Sequence, residues 1–335
     1  MPSLTSSRPE GLLLADPALD ARVSARLLAV EGLLRESVVS DYPFVTSTAR
    51  HLVDAGGKRF RPLLALLASE FGDPDAETVV PSAVVVELTH LATLYHDDVM
   101  DEARMRRGAD SANARWDNTV AILTGDFLFA RASDLLADLG PEAVRIQART
   151  FERLCTGQIR ETVGPAEGED PIAHHVDVLA DKTGSLIATA GRFGAMMAGA
   201  DPDVVETLAD FGERIGVAFQ LADDLVDIGS ERAQSGKTPG TDLREGVATL
   251  AVLYARTSDL AEDARLIELT SGPIHDDDDH AEALALLRAH PAMQRARDEA
   301  HRWADEARAA LSPLPAGPAR DALEMLCDYV VDRTG

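Results

Sequence analysis

Apolar residues recur along this chain at intervals of three and four, and runs that alternate in twos between hairpin turns are absent. That pattern predicts helix almost throughout. The clearest helix follows Asp201-Pro202, an acidic N-cap with proline at the first helical position. Val205, Leu208, Ile215, Ala222 and Val226 then keep helical spacing until Gly229 supplies a stop. A second helix starts near Pro81 and turns Val84, Leu88, Leu91 and Tyr95 toward a core. Breaks fall at 72–75, 140–141, 164–171, 235–240, 271–280 and 312–318, and none is long enough for an interdomain linker. One domain over residues 1–335 is expected, with 1–25 loosely ordered. The acidic run Asp276 to Asp279 reads as a solvated surface loop.

Composition sharpens this picture. With 45% apolar and 27% charged residues, the chain has material for a large core and is not a disordered acidic tail. Acidic side chains number 57 against 32 basic, a net charge of −25, which argues against a general nucleic-acid binder. Cys155 and Cys327 are too few for a disulfide framework and are expected as buried thiols in a reducing compartment. The early apolar run Leu12 to Ala15 is flanked by Glu10 and Asp16, so no signal peptide is read there. No stretch approaches the ~18–20 apolar residues of a membrane span. The expectation is a soluble, cytoplasmic protein.

One pattern occurs twice. Asp97-Asp98-Val99-Met100-Asp101 has an echo in Asp223-Asp224-Leu225-Val226-Asp227, each at the end of an apolar helix. Asp97 and Asp101 share a helical face, with Asp98 about 100° round, and the face continues back through Thr93 and His90. In the second helix Gln220, Asp223, Asp224 and Asp227 fall at i, i+3, i+4 and i+7, and Gly216 and Gly212 leave room on the same face. Three carboxylates so close repel one another unless cations neutralise them. A single cluster is equally a solvated helix end; two matching clusters favour a shared ion. Oxygen ligands without Cys or His at ligand spacing suit Mg²⁺, which is commonly held by one or two carboxylates together with substrate phosphates.

Cations for such a phosphate are present. Gly56-Gly57-Lys58-Arg59-Phe60-Arg61-Pro62 sets a glycine turn before a helix and brings three cations within four residues. Arg106-Arg107-Gly108 follows the first carboxylate cluster. Lys182-Thr183 and Lys237 are single lysines in polar settings. Taken alone, the glycine turn is equally a basic surface turn, and His90 equally a core histidine. Gly184, Ala188, Gly191, Ala195 and Ala198 form a small-residue stripe that reads either as close helix packing or as the wall of a tunnel for an apolar chain. No nucleophile elbow, dinucleotide fingerprint or P-loop is present.

In their order and spacing these motifs, with Gly125-Asp126 and Gln158 between them, resemble the trans-isoprenyl diphosphate synthases (the polyprenyl synthetase family) over residues 50 to 250. The resemblance implies an all-α, single-domain antiparallel bundle around a central cavity, of the isoprenoid synthase type and homodimeric. It implies head-to-tail condensation of isopentenyl diphosphate onto an allylic diphosphate, with more than one Mg²⁺. Asp97, Asp98, Asp101, Asp223, Asp224 and Asp227 would hold the metal on the allylic diphosphate. Arg106, Lys182, Gln220 and Lys237 would contact that substrate, with the Thr183 and Gln220 oxygens steadying the cation. Lys58, Arg61, His90 and Arg107 would bind isopentenyl diphosphate. Many members carry a further lysine where this chain has Val247, which leaves more diphosphate charge to Lys182 and Lys237.

Ala92 and Thr93 stand five and four residues before Asp97, so no aromatic plug lies one turn below the first cluster. Tyr95 points elsewhere on the helix, and Phe127 and Phe129 read as a deeper floor or as ordinary core. The expected product is therefore long, heptaprenyl to decaprenyl, for a quinone side chain. Transient contact with membrane enzymes that accept prenyl chains follows from such a product. The competing readings are a farnesyl or geranylgeranyl synthase, a class I terpene cyclase, and a non-catalytic subunit of a heteromeric synthase. The cyclase lacks a second diphosphate pocket, and the silent subunit tends to lose aspartates that are complete here.

Overall fold

Helix α1 (Pro17–Ser37) begins where the Asp16 carboxylate accepts the Leu19 N–H at 2.7 Å, with proline at the first position. It buries Leu19, Val23, Leu27, Val30 and Leu34, a stripe spaced by threes and fours. In this computed structural model, which describes residues 12, 14–229 and 239–332, the segment expected to be loose through residue 25 is thus helical from Pro17. The cap and the buried stripe are the reason.

The chain continues through α2 (Pro43–Asp54), α3 (Phe60–Ser69), α4 (Val79–Met100), a two-residue ribbon of β1 (Met105–Arg106) and β2 (Ala109–Asp110), α5 (Ala112–Arg115), α6 (Asn118–Leu139) and α7 (Pro141–Val163). Then come α8 (Pro171–Leu179), a π-turn (Ala180–Gly184), α9 (Ser185–Met197), α10 (Pro202–Gly229), α11 (Thr241–Glu245) and α12 (Leu250–Arg256). A short 3₁₀ turn leads into α13 (Ala264–Leu269), α14 (Asp277–Ala289), α15 (Pro291–Ala310) and α16 (Pro318–Val331). Helix α10 has the extent its sequence pattern predicts, and α4 starts two residues ahead of Pro81. No described helix is long and apolar enough to cross a membrane.

By internal packing the residues divide into two units. The first comprises Met1–Phe151, Leu186–Gly212 and Ala310–Glu324. Here α4 packs on α6, α3 and α1, and α3 is buried at every position except Arg61. Leu63, Leu64, Leu66 and Leu67 are each at most 1% exposed. Burying a leucine fully is worth about 1.5–3 kcal/mol, so α3 is the anchor of this core. The second unit comprises Glu152–Ser185, Glu213–Ala309 and Met325–Gly335. In it α8 leads into the π-turn and packs on α12, while α14 packs on α11, α12 and α13.

Three local expectations change. The run Asp276 to Asp279 is the start of α14 and not a loop: the Asp276 carboxylate caps it, accepting the Asp278 and Asp279 N–H groups at 2.9 and 3.0 Å. Carboxylates there meet the positive end of the helix dipole. Cys155 is exposed, whereas Cys327 is buried. The buried stripe of α7 runs Ala143, Gln147, Thr150, Leu154, and Cys155 lies one position past it. The small-residue stripe is close packing: a Cβ on Gly191 would lie 2.6 Å from the Leu208 carbonyl oxygen, and one on Gly184 would lie 3.1 Å from that of Glu213.

Glycine is used the same way between α9 and α3, where a Cβ on Gly194 would sit 2.0 Å from the Ala65 carbonyl oxygen. Backbone on both sides leaves nothing flexible to yield. Gly194→Ala is therefore expected to cost about 1–3 kcal/mol, read as a lower urea midpoint at unchanged slope. An unchanged midpoint would contradict this packing.

Candidate functional site

The first unit places its chemistry at the C-terminal end of α4 and at the turn before α3. Asp98 is fully buried. One of its oxygens accepts from Arg106 Nε at 2.6 Å, and Oδ2 has no hydrogen-bond partner. Arg106 Nη2 lies 3.9 Å from Asp101, which caps α4. Burial raises the Asp98 pKa although Arg106 opposes the shift.

Arg106 and Arg107 arrive on the β1–β2 ribbon. Its turn residues Arg107 and Gly108 have φ of 52° and 77°, the left-handed pair that tight hairpins demand. That strain at Arg107 aims its guanidinium back at α2, where it donates to the carbonyls of Leu52, at 3.1 Å, and Gly56. Gly57 must be glycine for this, because a Cβ there would fall 2.8 Å from the Arg107 guanidinium carbon. Arg107 thus fastens the glycine turn.

Arg59 departs from the expectation that three cations of the turn serve one anion. It takes a left-handed φ of 47° and buries its side chain inward. There it meets Glu31 of α1, Glu87 of α4 at 2.7 Å and the Val53 carbonyl at 3.1 Å. It is a structural ion triad that sequence spacing did not reveal, although Glu87 within the apolar run of α4 was a signal. Lys58 and Phe60 on either side take the opposite exposures, Lys58 outward and Phe60 buried.

His90 registers the gathered charge. Its pKa is held well below the ordinary histidine value by loss of hydration, then by the positive charge of Arg61, Arg107, Arg59 and Arg106. The charge of four arginines thus reaches one imidazole, although Glu31 and Glu87 answer Arg59 and Asp98 answers Arg106. Thr93 turns its hydroxyl to the His90 carbonyl at 2.8 Å, and Ala92 is fully buried. Tyr95 is buried and donates its hydroxyl to the Thr48 carbonyl at 2.5 Å. Phe129 stacks between His96 and Phe151, at 5.7 and 4.5 Å between ring centroids, and Phe151 is 38% exposed, so this stack is not deep core.

The second unit holds the other carboxylates. Thr183 Oγ1 donates to Gln220 Oε1 at 3.0 Å, and Gln220 Nε2 donates to Asp224 Oδ1 at 3.0 Å. Lys182 Nζ lies 2.5 Å from Glu161, which also accepts from Gln158 Nε2 at 3.2 Å. Asp242 joins the cluster, its N–H donating to Asp227 Oδ2 at 3.3 Å. Burial, then Asp223, Asp227 and Glu161, raise the Asp224 pKa, and burial, Asp224 and Asp227 raise that of Asp242. His175 Nε2 is buried, lacks a hydrogen bond and lies 3.9 Å from Asp224. Sequence reasoning missed Glu161, His175 and Asp242, which carry no repeated motif. Lys237 lies outside the described residues.

Among the described residues no three His, Cys, Asp or Glu side chains are gathered as a ready metal cage. The donors nonetheless fit a hard divalent ion that takes few protein ligands. They are all carboxylates, Asp98 Oδ2 is buried and open, and Asp224 is pressed by three like charges.

The family model described as polyprenyl synthetase matches residues 42–287. A nonaprenyl diphosphate synthase of Mycobacterium tuberculosis is 51% identical over 97% of this chain and 97% of its own. A geranylgeranyl pyrophosphate synthase of Corynebacterium glutamicum, solved with calcium and isoprenyl diphosphate, is 50% identical with a TM-score of 0.86, covering 97% of this chain and 100% of that one. A decaprenyl diphosphate synthase of Rhodobacter capsulatus is 36% identical with a TM-score of 0.85, covering 95% and 99%. The fold is the all-α isoprenoid synthase fold.

Because His90 resists protonation in the fold but not in the unfolded chain, it titrates near ~6.5 only when unfolded. Below that pH the unfolded state binds the extra proton, so stability conferred by the neutral ring is full above ~6.5 and falls as pH falls. His175, depressed by burial to about 4, acts in the same direction. Between pH 7 and 5.5, His90→Gln should lose up to about 1 kcal/mol per pH unit less than the parent in urea unfolding. Equal losses would contradict a lowered His90 pKa, whether from burial or from the arginines.

Proposed function

The chain belongs to the polyprenyl synthetase family, and from that premise we propose that it is a long-chain all-trans polyprenyl diphosphate synthase. It condenses isopentenyl diphosphate head-to-tail onto an allylic diphosphate and makes products from heptaprenyl to decaprenyl. The observation that carries this proposal is the presence, in each unit, of a carboxylate cluster beside fixed cations. Asp98 lies on Arg106, and Lys182 lies on Glu161, next in space to the Asp224 group. The nonaprenyl and decaprenyl relatives support the long product. So does the sequence before Asp97, where Ala92 and Thr93 put no aromatic ring one turn below the first cluster.

Asp97, Asp98, Asp101, Asp223, Asp224 and Asp227 would hold Mg²⁺, which when bound offsets the charge of the allylic diphosphate. The calcium and isoprenyl diphosphate in the Corynebacterium enzyme support a divalent ion. Arg106 and Lys182 exchange their carboxylate partners for phosphate oxygens, joined by Lys237. Fixed positive charge there stabilises the departing diphosphate as the allylic C–O bond breaks. Thr183 and Gln220 turn oxygen dipoles to the developing allylic cation. Lys58, Arg61 and His90 hold the isopentenyl diphosphate so that its double bond meets that carbon. Arg107, engaged by Leu52 and Gly56, serves this pocket through its charge and through the turn it fastens. A carbon–carbon bond forms, a proton leaves the new unit, and the released diphosphate accepts it.

Residues 1–335 act as one catalytic domain in this proposal, cytoplasmic and homodimeric. Exposed Ile122, Leu123 and Val144 on α6 and α7 support self-association. The product would supply a quinone side chain through a membrane enzyme that accepts it.

With Mg²⁺, isopentenyl diphosphate and a farnesyl primer, the purified chain is expected to give labelled products longer than geranylgeranyl on chromatography. Chelation should abolish them. Products no longer than geranylgeranyl would favour the shorter-chain activity named for the Corynebacterium relative and overturn the long-chain assignment. Ala92→Phe should shorten the product while turnover persists; unchanged length would remove Ala92 from the wall.

A further inference from the structure

The helix that carries Lys182 and Thr183 is interrupted where they stand. Between α8 and α9 the backbone widens into a π-turn over Ala180–Gly184. Such turns are rare, insert an extra residue into an α-helix and occur frequently at functional sites. This one is held from α7. Arg153 Nε donates to Asp181 Oδ1 at 2.8 Å, and Nη2 reaches the Ala180 carbonyl at 3.4 Å. The same guanidinium grips Glu213 of α10 with both terminal nitrogens, Nη1 at 2.9 Å and Nη2 at 3.0 Å. One planar group therefore ties the first two residues of the π-turn to α10 within the second unit.

The neighbouring residues are shaped to the same contact. Gly157, one turn along α7 from Arg153, admits the π-turn so closely that a Cβ would lie 2.9 Å from the Lys182 nitrogen. A Cβ on Gly184 would lie 3.1 Å from the Glu213 carbonyl oxygen. Ser185 Oγ donates to the Asp181 carbonyl at 2.6 Å, and Arg160 lies 3.6 Å from the other Asp181 oxygen. Arg153 is 37% exposed, and an isolated ion pair that wet would count for little. A two-pronged fork to Glu213 with a third branch to Asp181 is the arrangement in which such pairs gain both energy and direction.

A one-residue change of phase in a helix rotates every later side chain by about 100°. We propose that Arg153 is a positioning residue: by fixing the π-turn it sets the direction in which Lys182 and Thr183 point, toward Glu161 and toward the Gln220–Asp224 pair. Without the fork the turn relaxes and Lys182 loses its bearing on an anion held at Asp224. This rests on the diphosphate chemistry proposed above, and its test does not require turnover.

Binding of inorganic diphosphate in the presence of Mg²⁺ is measured by calorimetry for the parent chain, Arg153→Met, Lys182→Ala and the double variant. The expected result is about tenfold weaker binding for Arg153→Met, with the double variant no weaker than Lys182→Ala, since Arg153 acts through the lysine. Parent-like binding by Arg153→Met, or losses that simply multiply in the double variant, would overturn the proposal. Thermal unfolding accompanies each variant. If Arg153→Met unfolds at the assay temperature, Arg153→Lys, which keeps the charge and loses the fork, takes its place in the cycle with the same two outcomes. Condensation assays on the parent chain report separately on the function: absence of product there rejects the synthase reading, while the calorimetric cycle still decides Arg153.

Discussion

Charge taken out of water has to be neutralised, and this molecule does so by three different means. At Arg59 the protein does it alone, with Glu31 and Glu87 closing a buried triad. At Asp98 it does so halfway: Arg106 satisfies one oxygen and leaves the other open. Around Asp224 it does so with neutral and indirect partners: Asp223, Asp227 and Glu161 crowd the group, Gln220 donates to it, and Lys182 pairs with Glu161. Arg59 is closed by its own glutamates, whereas Asp98 keeps an oxygen open, and that difference separates scaffold from candidate site. A buried ion group that a protein leaves uncompensated is one that a ligand must complete.

Backbone strain follows the same distribution. Of the described non-glycine residues with positive φ, Arg59 and Arg107 belong to the two basic motifs, and Glu102 lies between the aspartate cluster and the ribbon. Left-handed backbone at a residue with a long side chain is unfavourable and persists only where surrounding contacts enforce it. At Arg59 the enforcing contacts are the glutamate pair; at Arg107 they are the carbonyls of the glycine turn. The two strained arginines hold one another's surroundings, since Glu87 binds Arg59 at 2.7 Å and lies 4.0 Å from Arg107. Lys58 and Arg61 flank Arg59 in sequence, so the backbone from which they project is the one these contacts hold.

What could be read from the chain before its structure was known depended on range. Helix α10 was legible to its ends because cap, proline, apolar period and terminal glycine are all local signals. The same is true of the aspartate motifs, since the spacing within Asp97-Asp98-Asp101 and within Gln220-Asp223-Asp224-Asp227 is local to one helix each. Asp276 misled because a row of like charges reads as solvated loop, although an N-cap uses the same residue type. The small-residue stripe had two honest interpretations, and only the backbone opposite each glycine decided between them. Arg59, Arg153 and His175 were beyond reach for one reason: their carboxylate partners lie 28 or more residues away in sequence. Long-range pairing leaves no periodic trace.

Product length belongs to this last class, which is why overall similarity does not settle it. Relatives of nearly equal identity to this chain carry names with different product lengths. The fold rests on dozens of buried side chains such as those of α3 and α4, and it tolerates many exchanges of similar volume. A stop for a growing apolar chain rests on the volume of a few wall residues. Replacing the buried methyl of Ala92 by an aromatic ring alters that volume without touching the carboxylates one turn away. Position 92 can therefore change while the carboxylates stay fixed, because it lies on a different face of α4 from Asp97.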